Sequence, residues 1–179
     1  LMIAWNNMTH FQDHIRMNNI SFIGMAGCGK STLGKAISEK LDLSFVDTDH
    51  LIEGEYKMSL EDVKKEFGYK FVRSAEEKAI LGLDRSAEII STGGSAIYSS
   101  ISMHHLMSFS KLIYIDTPLD IIVERIGIGK ERGLAMPDGI SVPDVYLERK
   151  PLYEKFSQLT VDGSKSIEQL VDEVKKILK

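Results

Sequence analysis

Several features that would direct a protein outside the cell, into a membrane or onto a nucleic acid are missing from this sequence. Its single cysteine, Cys28, excludes an internal disulfide, so a cytoplasmic protein is predicted. No apolar run approaches the roughly eighteen residues of a membrane span. The net charge of −4 gives no support to nucleic-acid binding, and residues 1–18 lack the basic-then-apolar order of a secretory signal.

The composition is that of one globular domain preceded by an extension. With 43% hydrophobic and 27% charged residues over 179 positions, the chain has enough apolar side chains for a real core. Residues 1–18 are mixed in composition, with Trp5, Phe11, three asparagines and two histidines, so we predict an N-terminal extension that is either disordered or foreign to the native chain. Residues 19–179 are predicted to form a single domain that acts as a monomer.

Short apolar runs alternate with stretches of helical periodicity along this domain. The apolar runs predict five strands, over Ile20–Gly24, Leu43–Asp47, Glu88–Thr92, Lys111–Asp116 and Leu159–Asp162. The other stretches predict helices over Ser31–Leu41, Leu60–Asp84, Ser100–Phe109, Leu119–Ile126, Val142–Phe156 and Ile167–Leu178. This alternation is typical of an α/β fold, in which a five-stranded parallel sheet lies between two layers of helices.

The residues after the first predicted strand match the phosphate-binding pattern G-x-x-x-x-G-K-[ST]. They read G-M-A-G-C-G-K-S-T over Gly24–Thr32, with a strand before and a helix after, as the pattern requires. Backbone N–H groups and the helix N-terminus of such a loop bind phosphate, Lys30 reaches the β- and γ-phosphates, and Ser31 holds Mg²⁺. We therefore predict an ATP site whose residues are Gly27, Cys28, Gly29, Lys30, Ser31 and Thr32.

Two carboxylates follow the second predicted strand. Asp47 and Asp49 are separated by one residue, so both can face the same side of an extended chain. That strand ends at the edge of the sheet where the phosphate loop also lies and where α/β folds bind ligands. Asp47 is predicted to hold Mg²⁺. Asp49 is predicted either to orient an acceptor hydroxyl and take its proton, or to cap a helix that begins near Leu51.

Arginines and glycine-rich segments supply the remaining candidates. Residues 127–143 contain four glycines and two prolines, which predicts either a lid carrying Arg132 or a plain surface loop. Arg73 precedes Glu76 by three residues on a predicted helix. The two form either a surface pair or an anion-binding guanidinium held by a carboxylate. Two glycines, Gly93 and Gly94, end the third predicted strand and allow a substrate to approach the backbone closely.

These motifs occur in the order found in the shikimate kinase family, which the chain resembles from about Asn19 to its C-terminus. Members carry an Asp-x-Asp after the second strand, Arg-x-x-Glu on the next helical segment, a glycine-rich strand end, a lid arginine and Arg-x-Pro-Leu-Tyr. The matching residues here are Asp47-Thr48-Asp49, Arg73-Ser74-Ala75-Glu76, Gly93-Gly94, Arg132 and Arg149-Lys150-Pro151-Leu152-Tyr153. Together with the phosphate loop, they make six motifs in register.

The resemblance implies a P-loop kinase of the nucleoside-monophosphate-kinase fold. It implies a small helical acceptor-binding subdomain over residues 50–84 and a closing lid over residues 127–143. The implied activity is ATP- and Mg²⁺-dependent phosphorylation of shikimate to shikimate 3-phosphate, a step of aromatic amino acid biosynthesis. Lys30, Asp49 and Arg132 would then be catalytic, and Arg125 would stack on adenine. The acceptor would be held by Asp49, Arg73, Gly94 and Arg149.

Four positions depart from the family pattern, and most of them concern the acceptor. Two aromatic positions ahead of Arg73 are Lys64 and Val72 here, a third glycine is Ser95, and the proline after the lid arginine is Gly133. None of these changes removes a predicted catalytic group. A kinase for another small hydroxy acid, such as gluconate or a hydroxy amino acid, is therefore the nearest alternative. A nucleotide-binding regulator without catalysis is a further one.

Overall fold

The computed structural model describes residues 19–127 and 134–178, and over these ranges the chain forms five strands and eight α-helices. The strands are β1 (Ile20–Ile23), β2 (Phe45–Asp47), β3 (Ile89–Ser91), β4 (Lys111–Asp116) and β5 (Leu159–Asp162). The helices are α1 (Lys30–Leu41), α2 (Thr48–Tyr56), α3 (Leu60–Phe67), α4 (Tyr69–Leu81), α5 (Ser100–Met107), α6 (Leu119–Ile126), α7 (Val142–Phe156) and α8 (Ile167–Ile177).

The described strands form one parallel sheet with the order β2-β3-β1-β4-β5. The central strand β1 pairs with β3 on one side and β4 on the other, so that Ile20 lies opposite both Ile89 and Lys111. Because the strand order reverses around β1, the loops that leave β1 and its neighbours separate and open a crevice at their carboxyl ends. The predicted α/β fold with a five-stranded parallel sheet is confirmed.

The three central strands β1, β3 and β4 are buried on both faces because most of their successive positions are apolar. Ile20 and Phe22 of β1 lie in a core that includes residues of α1 and α8, whereas Ile23 lies in a second core with residues of α5, α6 and α7. Successive side chains of a strand point to opposite faces, so one apolar run serves two cores. The result is the predicted three-layer arrangement.

Two predicted elements differ from the structure by more than two residues. The helix predicted over Leu60–Asp84 is two helices, α3 and α4, that are broken at Gly68. Gly68 has φ 86° and ψ 164°, a backbone conformation outside any helix and open almost only to glycine. Ahead of them, α2 begins at Thr48 rather than near Leu51. The segment after β2 is therefore a cluster of three short helices.

Some predictions concern residues outside the described ranges. They are the extension over residues 1–18 and the part of the lid over residues 128–133, which includes Arg132 and Gly133. In the two ranges that the structure describes, no helix is both long and apolar enough to cross a membrane.

Candidate active site

The phosphate loop lies between β1 and α1, with its lysine folded into it. Lys30 Nζ donates to the carbonyl oxygens of Gly24 and Met25, both at 2.8 Å. The Cys28 side chain is buried in the core beneath the loop and lies 3.6 Å from Lys30 Nζ. The thiol of Cys28 is therefore packed into the core, and its backbone N–H donates to the carbonyl of Met25 at 3.2 Å. The ammonium of Lys30 stands at the place where the loop would receive phosphates.

A cavity of about 660 Å³ opens over this loop and is large enough for a nucleotide. Its lining includes every residue from Gly27 to Thr32 and also Arg125, whose Nη1 donates to the carbonyl of Gly27 at 3.2 Å. The structure thus brings together all the residues that the sequence predicted for nucleotide binding.

Part of the lining of this cavity was not predicted from the sequence. It includes Gly163, Lys165 and Ser166 from the loop between β5 and α8, and Ile167 at the start of α8. A signal was present, because β5 is parallel to β1 and its carboxyl end must lie at the same edge of the sheet.

Asp47 and Ser31 are the predicted magnesium ligands, and both line a neighbouring cavity of about 310 Å³ together with Asp49. Ser31 Oγ lies 3.2 Å from Ser91 Oγ at the end of β3. Asp47 is the N-cap of α2, because its Oδ1 accepts from the N–H of Asp49 at 3.0 Å. The alternative prediction that Asp49 caps this helix is therefore wrong. A hydroxyl and a carboxylate on one cavity are oxygen donors of the kind that Mg²⁺ prefers, so the residues fit this ion.

Asp49 and Glu76 approach each other across Gly93. A Cβ atom at Gly93 would clash with Glu76 Oε1 and would lie 2.6 Å from Asp49 Oδ1, so only glycine leaves room for both carboxyl groups. Glu76 is 2% exposed, and its Oε2 accepts from Ser95 Oγ. Its Oε1 has no hydrogen-bond partner among the residues that the structure describes.

Burial and like charge change the pKa of both carboxyl groups. Burial, followed by the charge of Asp47, raises the pKa of Asp49 from 3.8 to about 6. Burial, followed by the charge of Asp49, raises the pKa of Glu76 from 4.5 to about 7. A carboxyl group with a pKa near 6 is suited to accept a proton during catalysis near neutral pH.

Arg73 and Arg149 point at the same oxygen atom. Arg73 Nε and Arg149 Nη2 each donate to the backbone carbonyl of Ala135 at 3.1 Å. Arg149 is 1% exposed, whereas arginine is almost never fully buried unless it has a partner. Arg73 forms no ion pair with Glu76 within the described structure. Both predicted pairings are therefore wrong, the surface pair as well as the guanidinium held by the Glu76 carboxylate.

These groups surround a small cavity of about 40 Å³ beside the phosphate loop. The lining residues are Ala26, Asp49, Leu60, Val72, Glu76, Gly93, Gly94, Ser95, Leu134, Ala135 and Arg149. Two of the departures from the family pattern, Val72 and Ser95, therefore lie on this wall. Lys64 does not, and its Nζ lies 3.8 Å from Asp138 Oδ1.

The chemistry available at this edge is phosphoryl transfer to a small acceptor. A nucleotide-sized cavity over a phosphate loop adjoins a second cavity with a carboxylate, Asp49, on the wall they share. Arg149 lines this second cavity, and Arg73 donates to the same carbonyl of Ala135, so both guanidinium groups can hold an acceptor anion. The fold and the site together define a P-loop kinase that acts on a small molecule.

Comparisons with known proteins identify the family. The family model described as shikimate kinase matches residues 26–179. The shikimate kinase of Persephonella marina is 33% identical over 88% of this chain and 97% of its own length. Shikimate kinase 2 of Escherichia fergusonii is 30% identical over 87% of this chain and 89% of its own length. This chain belongs to the shikimate kinase family.

A solved structure agrees with this assignment. The shikimate kinase from Acinetobacter baumannii in complex with shikimate superimposes with a TM-score of 0.80 at 25% identity, and the match covers 89% of this chain and 92% of that one.

Proposed function

We propose that this protein transfers the γ-phosphate of ATP to a hydroxyl group of shikimate and releases shikimate 3-phosphate and ADP. The observation that carries the proposal is the convergence of Arg73 and Arg149 on a single oxygen, the carbonyl of Ala135, beside Asp49. Two guanidinium groups that share one oxygen form a site for a carboxylate, which shikimate carries. The acceptor carboxylate would replace the Ala135 carbonyl at that position.

Acceptor binding requires the segment Leu134–Met136 to move out of the acceptor cavity. The cavity of about 40 Å³ has room for about one water molecule, whose share of liquid volume is roughly 30 Å³. The side chains of all three residues of the segment are buried. Shikimate would displace this segment, which is part of the lid predicted over residues 127–143.

The catalytic roles are proposed from the family resemblance and, for the described residues, also from where each group lies. Asp49 orients the acceptor hydroxyl and takes its proton as the bond to phosphorus forms, and the bond to the leaving ADP oxygen breaks. Lys30 stabilises the charge on the β- and γ-phosphates, and Arg132 adds a second cation from the lid. Arg125 stacks on adenine, Gly94 lies against the acceptor, and Ser31 and Asp47 hold Mg²⁺. When it is bound, Mg²⁺ neutralises charge on the phosphate oxygens.

The first test is steady-state ADP release with Mg²⁺-ATP and shikimate, with gluconate and homoserine measured in parallel. We expect saturable turnover that is specific to shikimate. Turnover with another hydroxy acid alone would mean that Val72 and Ser95 have rebuilt the acceptor site. Tight ATP binding without any turnover would support a regulator and contradict the proposal.

Arg149→Ala tests how the acceptor is held. Loss of a charge-assisted contact worth about 1.5–3 kcal/mol should raise the KM for shikimate roughly 10- to 100-fold and leave the KM for ATP unchanged. Lys150→Ala is the control, because Lys150 pairs with Asp116 at 2.9 Å and lines neither ligand cavity. An unchanged KM for shikimate in a folded Arg149→Ala protein would contradict this role. That the protein acts as a monomer in the cytoplasm stays a prediction.

A further inference from the structure

A tyrosine that belongs to none of the motifs lies between the two acceptor arginines. Tyr98 ends a single 3-10 turn, Ala96–Tyr98, that follows the glycine pair after β3. The Cζ atom of Arg73 lies 3.9 Å from the centroid of the Tyr98 ring, and that of Arg149 lies 5.2 Å from it. Both distances are within the range at which a cation is attracted to an aromatic ring. One ring therefore contacts both guanidinium groups.

Arg73 also meets a second ring. Its Cζ atom lies 5.1 Å from the centroid of Tyr69, which stands one turn earlier on α4. The guanidinium thus has two aromatic neighbours, Tyr69 from its own helix and Tyr98 from the 3-10 turn. A planar cation that stacks on rings keeps a defined orientation at little cost in hydration.

The hydroxyl of Tyr98 orients the other arginine. Tyr98 OH donates to Glu148 Oε1 at 2.6 Å, and Arg149 Nε donates to the Tyr98 oxygen at 3.3 Å. Because the hydroxyl donates its hydrogen bond to Glu148, the oxygen lone pairs remain available to accept from Arg149. Arg149 therefore has its Nε bound to Tyr98 and its Nη2 directed at the Ala135 carbonyl.

We propose that Tyr98 is a positioning residue for acceptor recognition. Its ring and hydroxyl hold the guanidinium groups of Arg73 and Arg149 so that their N–H groups converge on one acceptor oxygen. Guanidinium groups that are oriented beforehand lose less conformational freedom on binding, and acceptor affinity gains accordingly. This inference rests on the proposed function, because it requires an acceptor that carries a carboxylate group.

Two variants of Tyr98 separate the effect of the ring from that of the hydroxyl, and a third variant serves as the control. Tyr98→Leu removes both, and loss of two cation–π contacts should raise the KM for shikimate about ten- to thirtyfold. Tyr98→Phe keeps the ring, and loss of the hydrogen bond should raise this KM about two- to tenfold. Tyr56→Phe is the matched control, because Tyr56 is a partly buried tyrosine of α2 that packs against Phe67 and Phe71. It should leave the KM for shikimate unchanged.

A merely structural role would produce a different pattern. Positioning predicts that the KM for ATP and the thermal midpoint stay at wild-type values in Tyr98→Phe while the KM for shikimate rises. A fold defect would lower kcat and weaken both substrates together. In the wild-type protein, Tyr98 should also shift the arginine Nε–H proton resonance of Arg73 upfield by its ring current. That shift should survive Tyr98→Phe and shrink in Tyr98→Leu.

The outcomes distinguish this inference from the function on which it rests. A wild-type enzyme that phosphorylates shikimate, with an unchanged KM in a folded Tyr98→Leu protein, overturns the role of Tyr98 and leaves the function intact. A wild-type protein without turnover overturns the function. The role of Tyr98 is then decided by the Arg73 resonance, which must move in Tyr98→Leu. If Tyr98→Leu does not fold, an unchanged KM in Tyr98→Phe rejects the positioning of Arg149 by the hydroxyl.

Discussion

At the scale of single residues, the site depends on where three carboxyl groups lie relative to β2 and β3. Asp47 is engaged by the backbone of α2, which leaves Asp49 to face the acceptor cavity. Burial and the charge of Asp47 together raise the pKa of Asp49 to about 6. Asp47 therefore caps α2 and, through its charge, also makes Asp49 a stronger base.

Asp49→Asn should lower kcat by about two to four orders of magnitude, the contribution typical of a general base, with little change in the KM for ATP. In the wild-type protein, kcat/KM for shikimate should fall as the pH drops below about 6, because a protonated Asp49 cannot accept a proton. Asp120→Asn, which changes an exposed carboxyl of α6, is the control. An acidic limb that persists unchanged in the residual activity of Asp49→Asn would assign that pKa to another group.

The residue types and their spacing predicted which side chains form the site, but not all of their local roles. Asp47 and Asp49 are equally good N-caps, and helix boundaries inferred from propensity vary by about one or two residues. Sequence alone therefore could not decide which of the two caps α2. Nor could it reveal that Gly93 separates Asp49 from Glu76, because that contact joins three elements far apart in the chain.

At the scale of elements, the break between α3 and α4 positions the acceptor side of the site. Gly68 has φ 86°, which lets the chain turn sharply so that α4 carries Arg73 and Glu76 toward β3. Helical periodicity runs through Gly68 without interruption, which is why the sequence predicted one helix over Leu60–Asp84. The strands β4 and β5 and the helices α6 and α7 were predicted with the observed bounds, because a strong apolar pattern and clear ends coincide there.

Gly68→Ala should destabilise the fold by about 1–3 kcal/mol, because a Cβ atom is disfavoured at this φ and ψ. The displaced α4 should also raise the KM for shikimate. The KM for ATP should be spared, because the phosphate loop belongs to β1 and α1. Urea unfolding and steady-state kinetics measure the two effects.

Gly82→Ala is the matched control for this substitution. Gly82 ends α4 with φ −80°, a conformation that alanine adopts freely, so the free energy of unfolding should stay within about 1 kcal/mol of wild type. Equal stability of Gly68→Ala and wild type would mean that α3 and α4 can join in another way.

At the scale of the whole molecule, the fold gathers charged side chains at one edge of the sheet and buries them. Lys30, Asp47, Glu76 and Arg149 are all less than a tenth exposed. Burying charge opposes folding unless each group is paired, and Glu76 Oε1 has no partner among the described residues. The arrangement that suits phosphoryl transfer therefore reduces the stability of the free protein, a trade-off common at active sites.

The pH dependence of stability should report this cost. The pKa of Glu76 is 4.5 when the chain is unfolded and about 7 when it is folded. Between these values the folded protein holds a proton that the unfolded chain releases. The stabilising contribution is therefore complete below about pH 4.5 and is lost as the pH rises through about 7. Since one pKa unit corresponds to about 1.4 kcal/mol, the loss is on the order of 3 kcal/mol. Asp49 adds an effect of the same sign.

Glu76→Gln should remove most of this dependence, because an amide can still accept the Ser95 hydroxyl hydrogen bond but does not ionise. Urea unfolding without ligands should show wild-type stability falling from pH 5 to pH 8 and a flatter profile for Glu76→Gln, with the variant the more stable of the two at pH 8. Glu154→Gln, at an exposed position of α7, should follow the wild-type profile. Parallel profiles for Glu76→Gln and wild type would mean that Glu76 ionises in the folded protein without cost. Other groups at this edge of the sheet would then offset the free-energy cost of burying the Glu76 charge.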